Sequence, residues 1–175
     1  MKLLALILAV AAGAAAAQTV PHTPSSRQWF QPMHLVAVDP DRLAGTWYEV
    51  AHYPFPAQAG CRRTTATYRP LADGTLAVLN RCTRDGAVEE IAGVATPAGP
   101  GRLKIELAGV PFAGELRVLG ISRDGRTVVL GTAFRNAGWV LHRDRRFTEE
   151  ERRVAAKLFR ANGYDEAALQ RTVQW

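Results

Sequence analysis

Cysteine is scarce in this chain of 175 residues: there are two, Cys61 and Cys82. Neither stands near the N-terminus, so a lipid anchor on an N-terminal cysteine has no residue to carry it. Histidine is also sparse. His22, His34, His52 and His142 show neither HExxH nor metal-cluster spacing, and no G-x-S-x-G nucleophile elbow is present. No catalytic residue, metal or cofactor is therefore assigned, and the chain reads as a non-enzyme. No basic stripe is interleaved with stacking aromatics, which excludes a nucleic-acid partner. The apolar run Leu3 to Val10 is too short for a good membrane span. With Lys2 before it and Ala15-x-Ala17 after it, residues 1–17 form a signal peptide, and the mature chain is expected to start at Gln18.

The remaining length suits one domain with a sizeable core. The formal charge is +6, or +5 without Lys2, and resides largely in arginines such as Arg62, Arg63, Arg81, Arg84, Arg143, Arg145 and Arg146. This reads as a solvated surface, with anionic ligands or lipid head groups as the sharper alternative. Export to an oxidising compartment, periplasmic or extracellular, makes one disulfide the default for the two cysteines; free thiols are the competing state.

Residues 18–38 carry Pro21, Pro24 and Pro32 and read as an extended lead-in, with Trp29, Phe30 and Met33 available to cover an apolar surface. Asp39-Pro40-Asp41 turns the chain into the domain proper, 39–175. From Gly45 onward strands and turns alternate at short spacing: Thr46 to Tyr53, Arg63 to Arg69, Thr75 to Thr83, Val88 to Ala95, Leu103 to Leu107, Gly114 to Ser122, Thr127 to Ala133 and Gly138 to His142. Asp73-Gly74, Asp85-Gly86 and Asp124-Gly125 are hairpin signals. Eight antiparallel strands suffice to close an all-β up-and-down barrel that either fills itself or holds one small ligand. After them Thr148-x-x-Glu151 is a capping box, and Asn162-Gly163 a stop. Val154, Leu158, Phe159 and Ala161 make the apolar stripe of a helix packed outside the barrel; a transient membrane-surface contact through Arg152, Arg153, Lys157 and Arg160 is the alternative. The tail from Tyr164 to Trp175 has room for a short strand.

The run Asp41-Arg-Leu-Ala-Gly-Thr-Trp-Tyr-Glu-Val-Ala51, the stretch Ala66-Thr-Tyr68 through Asp73-Gly74 to Val78-Leu-Asn80, and Trp139-Val-Leu-His-Arg143 ahead of the helix together resemble the lipocalins, in the group of bacterial and apolipoprotein D-like members. The resemblance implies a calyx whose structural signature is Gly45, Trp47 and Tyr48, with Arg143 packed across the Trp47 ring at the closed end. It also implies a small hydrophobic ligand as partner, such as a fatty acid, a lysophospholipid or a similar lipid, bound for transport or storage. The family's middle Thr-Asp-Tyr-like motif is missing, with Gly131-Thr-Ala-Phe134 near its place. The tail lacks the cysteine that apolipoprotein D-like proteins pair with the one before the second strand, so Cys61 bonds Cys82 or stays free.

With Trp47 and Arg143 facing in, alternation along each strand turns Glu49, Ala51, Tyr53, Ala66, Tyr68, Val78, Asn80, Ile91, Leu103, Ile105, Trp139 and Leu141 toward the interior as the ligand-binding set. By the same parity His52 and His142 point away. Glu49 has two readings, a structural partner of a basic residue or a contact for a ligand head group. Three alternatives stay open beside the carrier: a barrel filled by its own side chains, a thiol-dependent isomerase using Cys82, and an interaction scaffold with no ligand.

Overall fold

The computed structural model describes residues 31–175. The expected signal peptide, and the lead-in as far as Trp29 and Phe30, lie outside the described residues. The strands are β1 (Gly45–His52), β2 (Arg62–Pro70), β3 (Leu76–Arg84), β4 (Ala87–Pro97), β5 (Arg102–Leu107), β6 (Gly114–Ile121), β7 (Thr127–Thr132), β8 (Gly138–His142) and β9 (Gln170–Arg171), with one α-helix, α1 (Glu149–Ala161). Each of β1 to β7 pairs antiparallel with its successor, and β1 pairs with both β2 and β8, so the sheet closes into an eight-stranded barrel. Closure leaves no long edge open to another chain. The β3–β4 turn shows how local chemistry sets register: Asp85 and Gly86 both take positive φ, 51° and 82°, and Arg84 lies opposite Ala87. Two such residues match the right-handed twist of a hairpin, and only Asp, Asn or Gly accept them cheaply.

Because the strands run up and down, one end collects the start of β1, the turns at Asp73-Gly74 and Asp124-Gly125, and Arg143; the other collects the β1–β2, β5–β6 and β7–β8 loops. Two cores follow from the pleat. Inside the barrel Trp47, Tyr68, Leu76, Val78, Leu103, Val118, Leu130 and Leu141 are buried together, with Ile105, Leu116 and Trp139 packed partly against them. The second core lies between the outer face of the sheet and α1, and contains Val50, Ala51, Tyr53, Leu119, Val129, Val140, Ala155, Phe159 and Tyr164. Met33 and Leu35 of the lead-in pack on this second core, and the Val36 amide donates to the Val118 carbonyl at 2.9 Å.

Two bulges decide which residues join which core. Register slips between Glu49 and Ala51 in β1, and between Val118 and Gly120 in β6. An extra residue in one strand of a pair turns two consecutive side chains to the same side, so Val50 and Ala51 both face α1.

The helix begins as its sequence indicates: Thr148 Oγ1 accepts from the Glu151 amide at 3.2 Å, and the Glu151 carboxylate accepts from the Thr148 amide at 2.7 Å. It sits on glycines. A Cβ on Gly120 would lie 2.6 Å from Leu158, one on Gly131 2.4 Å from the Tyr164 hydroxyl, and one on Gly138 2.7 Å from Phe159. These seats select the buried face, which is Ala155 and Phe159; Val154, expected in the stripe, is half exposed and Ala161 is exposed.

The tail closes the seam that β1 and β2 leave open. They pair only over Gly45 to Tyr48, and beyond that β9 takes over, with Ala51 opposite Arg171 and His52 opposite Gln170. The Thr172 amide then donates to Val50, the Arg63 amide to Val173, and the Gln174 amide group to the carbonyls of Glu49 and Thr64.

Candidate ligand-binding site in the barrel

At the closed end Trp47 is fully buried, and its indole N–H donates to the Leu43 carbonyl at 2.7 Å. The Arg143 guanidinium lies 3.5 Å from the ring centroid. It donates to the carbonyls of Thr46 at 3.1 Å and Ala44 at 2.7 Å, which spreads its charge over backbone acceptors. Gly45 takes φ +92°, and a Cβ there would stand 3.1 Å from the same guanidinium. Glycine serves both the backbone bend and the cation's approach. Tyr48 is on the outer face, with Arg145 5.2 Å from its ring.

Along the inner wall the register brings together most of the expected lining. Ala66, Tyr68, Val78, Leu103 and Leu141 are buried in the inner core, and Ile105 and Trp139 pack partly against it. Asn80 and Ile91 are half-buried and lie opposite each other. Accessibility of the inner wall thus rises from none at Trp47 to partial at Asn80, Ile91, Ile105, Leu116 and Trp139. Burial pushes the Tyr68 phenol up to about 12, so it remains a protonated donor at any ordinary pH.

Ala51 and Tyr53 depart from expectation. The β1 bulge puts both on the outer face: Ala51 is sealed under α1, and the Tyr53 ring lies 4.9 Å from the rings of Phe159 and Tyr164. Its hydroxyl donates to the Asp165 carbonyl. Burial, and after it the nearby charge of Asp165, raises its pKa. Strict alternation fails here because it assumes an unbroken register.

The same bulge brings His52 in beside Glu49. Glu49 is 2 % exposed, and its carboxylate is held by polar side chains, with no arginine among them. Oε1 accepts from the Thr172 hydroxyl at 2.6 Å and lies 3.0 Å from His52 Nδ1, and Oε2 accepts from the Gln58 amide. Gln58 in turn accepts from the Trp139 indole N–H at 2.9 Å. A buried carboxylate needs such partners. Gln58, Thr172 and Gln174 carried no signal in the sequence, because a glutamine in a loop and a tail residue 123 positions away are joined to Glu49 only by the closed barrel. His142 does point outward, against Phe147 and Glu151.

Cys61 and Cys82 are bonded, with their Cα atoms 5.4 Å apart. The register slip between Arg62 and Thr65, with Arg63 at φ 52°, lies directly after Cys61 at the start of β2. The bond ties the β1–β2 loop to β3. The same loop lays Phe55 6.3 Å from the Trp139 ring. Both thiols are consumed, so the isomerase alternative loses its nucleophile. Among the described residues no cluster of His, Cys, Asp or Glu could hold a metal ion, and no helix is long and apolar enough to cross a membrane. The basic residues of α1 are largely engaged on their own surface, Arg152 with Glu149 and Arg153 with Glu150.

A family profile described as a lipocalin-like domain matches residues 38–174. The chain is a lipocalin. It is 32% identical over 146 residues to temperature-induced lipocalin-1 of Arabidopsis thaliana, covering 77% of this chain and 78% of that protein. It is 30% identical over 132 residues to the outer membrane lipoprotein Blc of Escherichia coli K12, covering 73% and 74% respectively. Among solved structures, lobster apocrustacyanin A1 matches with a TM-score of 0.64 at 19% identity, over 82% of this chain and 90% of that one. Insecticyanin of the tobacco hornworm Manduca sexta matches at 0.65 and 15%, over 81% and 84%. These last two share the fold with this lipocalin. The family is known for binding small hydrophobic ligands.

Proposed function

We propose that this lipocalin binds a lipid-like molecule in its barrel and carries or stores it, without catalysing a reaction on it. The observation that supports this best is the graded inner wall, predominantly apolar and half-buried from Asn80 and Ile91 to Ile105 and Trp139. Such a wall suits the chain of a fatty acid, a lysophospholipid or a similar amphiphile, since each buried methylene contributes about 0.8 kcal/mol. The lining in this proposal is Ala66, Tyr68, Val78, Asn80, Ile91, Leu103, Ile105, Trp139 and Leu141, while Glu49 acts as a strut for the loop and tail. Periplasmic or extracellular residence goes with this reading, as does the oxidised cysteine pair. Mass spectrometry of organic extracts from gently purified protein should find a stoichiometric apolar molecule. A barrel that comes out empty and also refuses uncharged apolar fluorophores would sink the carrier reading in favour of a scaffold.

A further inference from the structure

Several polar side chains of the barrel wall have protein partners: the Trp47 indole has Leu43, the Trp139 indole Gln58, and Glu49 has Gln58, Thr172 and His52. The small Thr64 hydroxyl is buried without one, and two larger groups deeper along β2 and β3 also lack one. Tyr68 is 4% exposed, burial alone shifts its phenol, and its hydroxyl has no hydrogen-bond partner among the described residues. The side-chain amide of Asn80 is likewise without one. In the β2–β3 register Tyr68 lies opposite Val78 and Ala66 opposite Asn80. Tyr68 and Asn80 are therefore diagonal neighbours on the inner face, within reach of one small polar group. A hydroxyl and an amide on the inner wall without a protein partner call for water or a ligand to satisfy them.

Charge narrows what that ligand can be. Below the rim, the inward positions of β2 to β8 hold no lysine or arginine. Arg84 stands at the rim, bound to Glu89 at 3.2 Å and to the Ala57 carbonyl at 2.8 Å. Arg143 lies beneath Trp47 and is occupied by backbone carbonyls. The acidic side chain buried in the wall is Glu49, whose Oε1 lies 3.0 Å from His52 Nδ1. A carboxylate or phosphate drawn in would give up its water and meet no lysine or arginine on the inner wall below the rim. A hydroxyl or carbonyl would instead find a donor-acceptor phenol and an amide that offers both roles.

Building on the carrier reading, we infer that the barrel selects uncharged lipids that bear a hydroxyl or carbonyl group, held by Tyr68 and Asn80, over lipids with anionic head groups. The test is displacement of a bound uncharged fluorophore, N-phenyl-1-naphthylamine, by 1-dodecanol and by dodecanoate at pH 8, on the wild-type protein and on the variants Tyr68→Phe and Asn80→Leu. The alcohol is expected to displace the dye at a concentration about tenfold or more below that of the carboxylate, the ratio that 1.4 kcal/mol represents. With the dye's own affinity measured on each variant and divided out, each variant should weaken the alcohol several-fold and the carboxylate less; Asn80→Leu, at a half-buried position, serves if Tyr68→Phe does not fold. Equal or tighter binding of dodecanoate overturns the selectivity and leaves the carrier reading standing. A preference for the alcohol that survives both substitutions overturns the assignment to Tyr68 and Asn80. Failure of the wild-type barrel to take up the dye or either lipid removes the carrier reading, and this inference with it.

Discussion

Arg143 shows how one side chain can fasten a barrel floor. Its guanidinium covers the Trp47 ring and binds carbonyls on the approach to β1 and at its start, a fork geometry that a lysine cannot reproduce. Arg143→Ala is expected to cost about 2–3 kcal/mol, and Arg143→Lys about half of that, read from denaturant midpoints at constant slope. A second residue-scale expectation concerns alkali. The Tyr68 pKa is near 10 when unfolded and about 12 when folded. Its contribution is fully present below pH 10 and is lost as pH rises through 12, because the unfolded chain releases the proton first. Wild-type stability should fall over that window by about 2–3 kcal/mol, and Tyr68→Phe should flatten this part of the profile. A profile identical in the variant would remove Tyr68 as its source.

At the scale of elements, the helix and its seats form a unit. Gly131→Ala drives a methyl into the Tyr164 hydroxyl, which also donates to the Ala137 carbonyl and accepts from the Thr132 amide. Gly120→Ala meets the flexible end of Leu158. The first is expected to lower stability by about 2–3 kcal/mol and the second by less, as overpacking costs depend on what can yield; thermal melts of both variants give the order directly. Eight strands, their turns and the helix cap were legible in the sequence because each depends on neighbouring residues: Asp85-Gly86 for a turn, Thr148 with Glu151 for a cap. The bulges in β1 and β6 were not, since nothing in Val50 or Leu119 marks an extra residue until the partner strand is in place. Ala51 and Tyr53 were misassigned for that reason alone. Arg135 escaped notice too. It is buried, with its side chain on the Asn162 carbonyl at 2.6 Å, where a cation meets the negative end of α1.

For the whole molecule, the disulfide and the tail hold the loop end together from two sides. Replacing both Cys61 and Cys82 by serine should lower stability by about 3 kcal/mol, as expected for closing a loop of some twenty residues. The inner lining was largely readable because parity survives wherever the register is continuous, as from Ala66 to Tyr68 and from Val78 to Asn80. The polar strut around Glu49 was not, because its members come from three distant parts of the chain.

The tail that seals the seam also sets an order of events. Thr172 and Glu49 are 123 residues apart, and Gln174 and Thr64 are 110 apart, whereas the β2–β3 and β3–β4 hairpins need only short loops. Closing long loops is slow, so the seam should be the last part of the barrel to assemble. Having few backbone pairs, it should also be the first to open and close again while the rest stays folded. In native-state hydrogen exchange the amides of Arg63 and Thr172 are expected to trade protons well before those of β3 and β4. A molecule that breathes there opens its wall between β1 and β2, and exchange between the barrel interior and solvent would then follow the tail's opening and not the unfolding of the barrel.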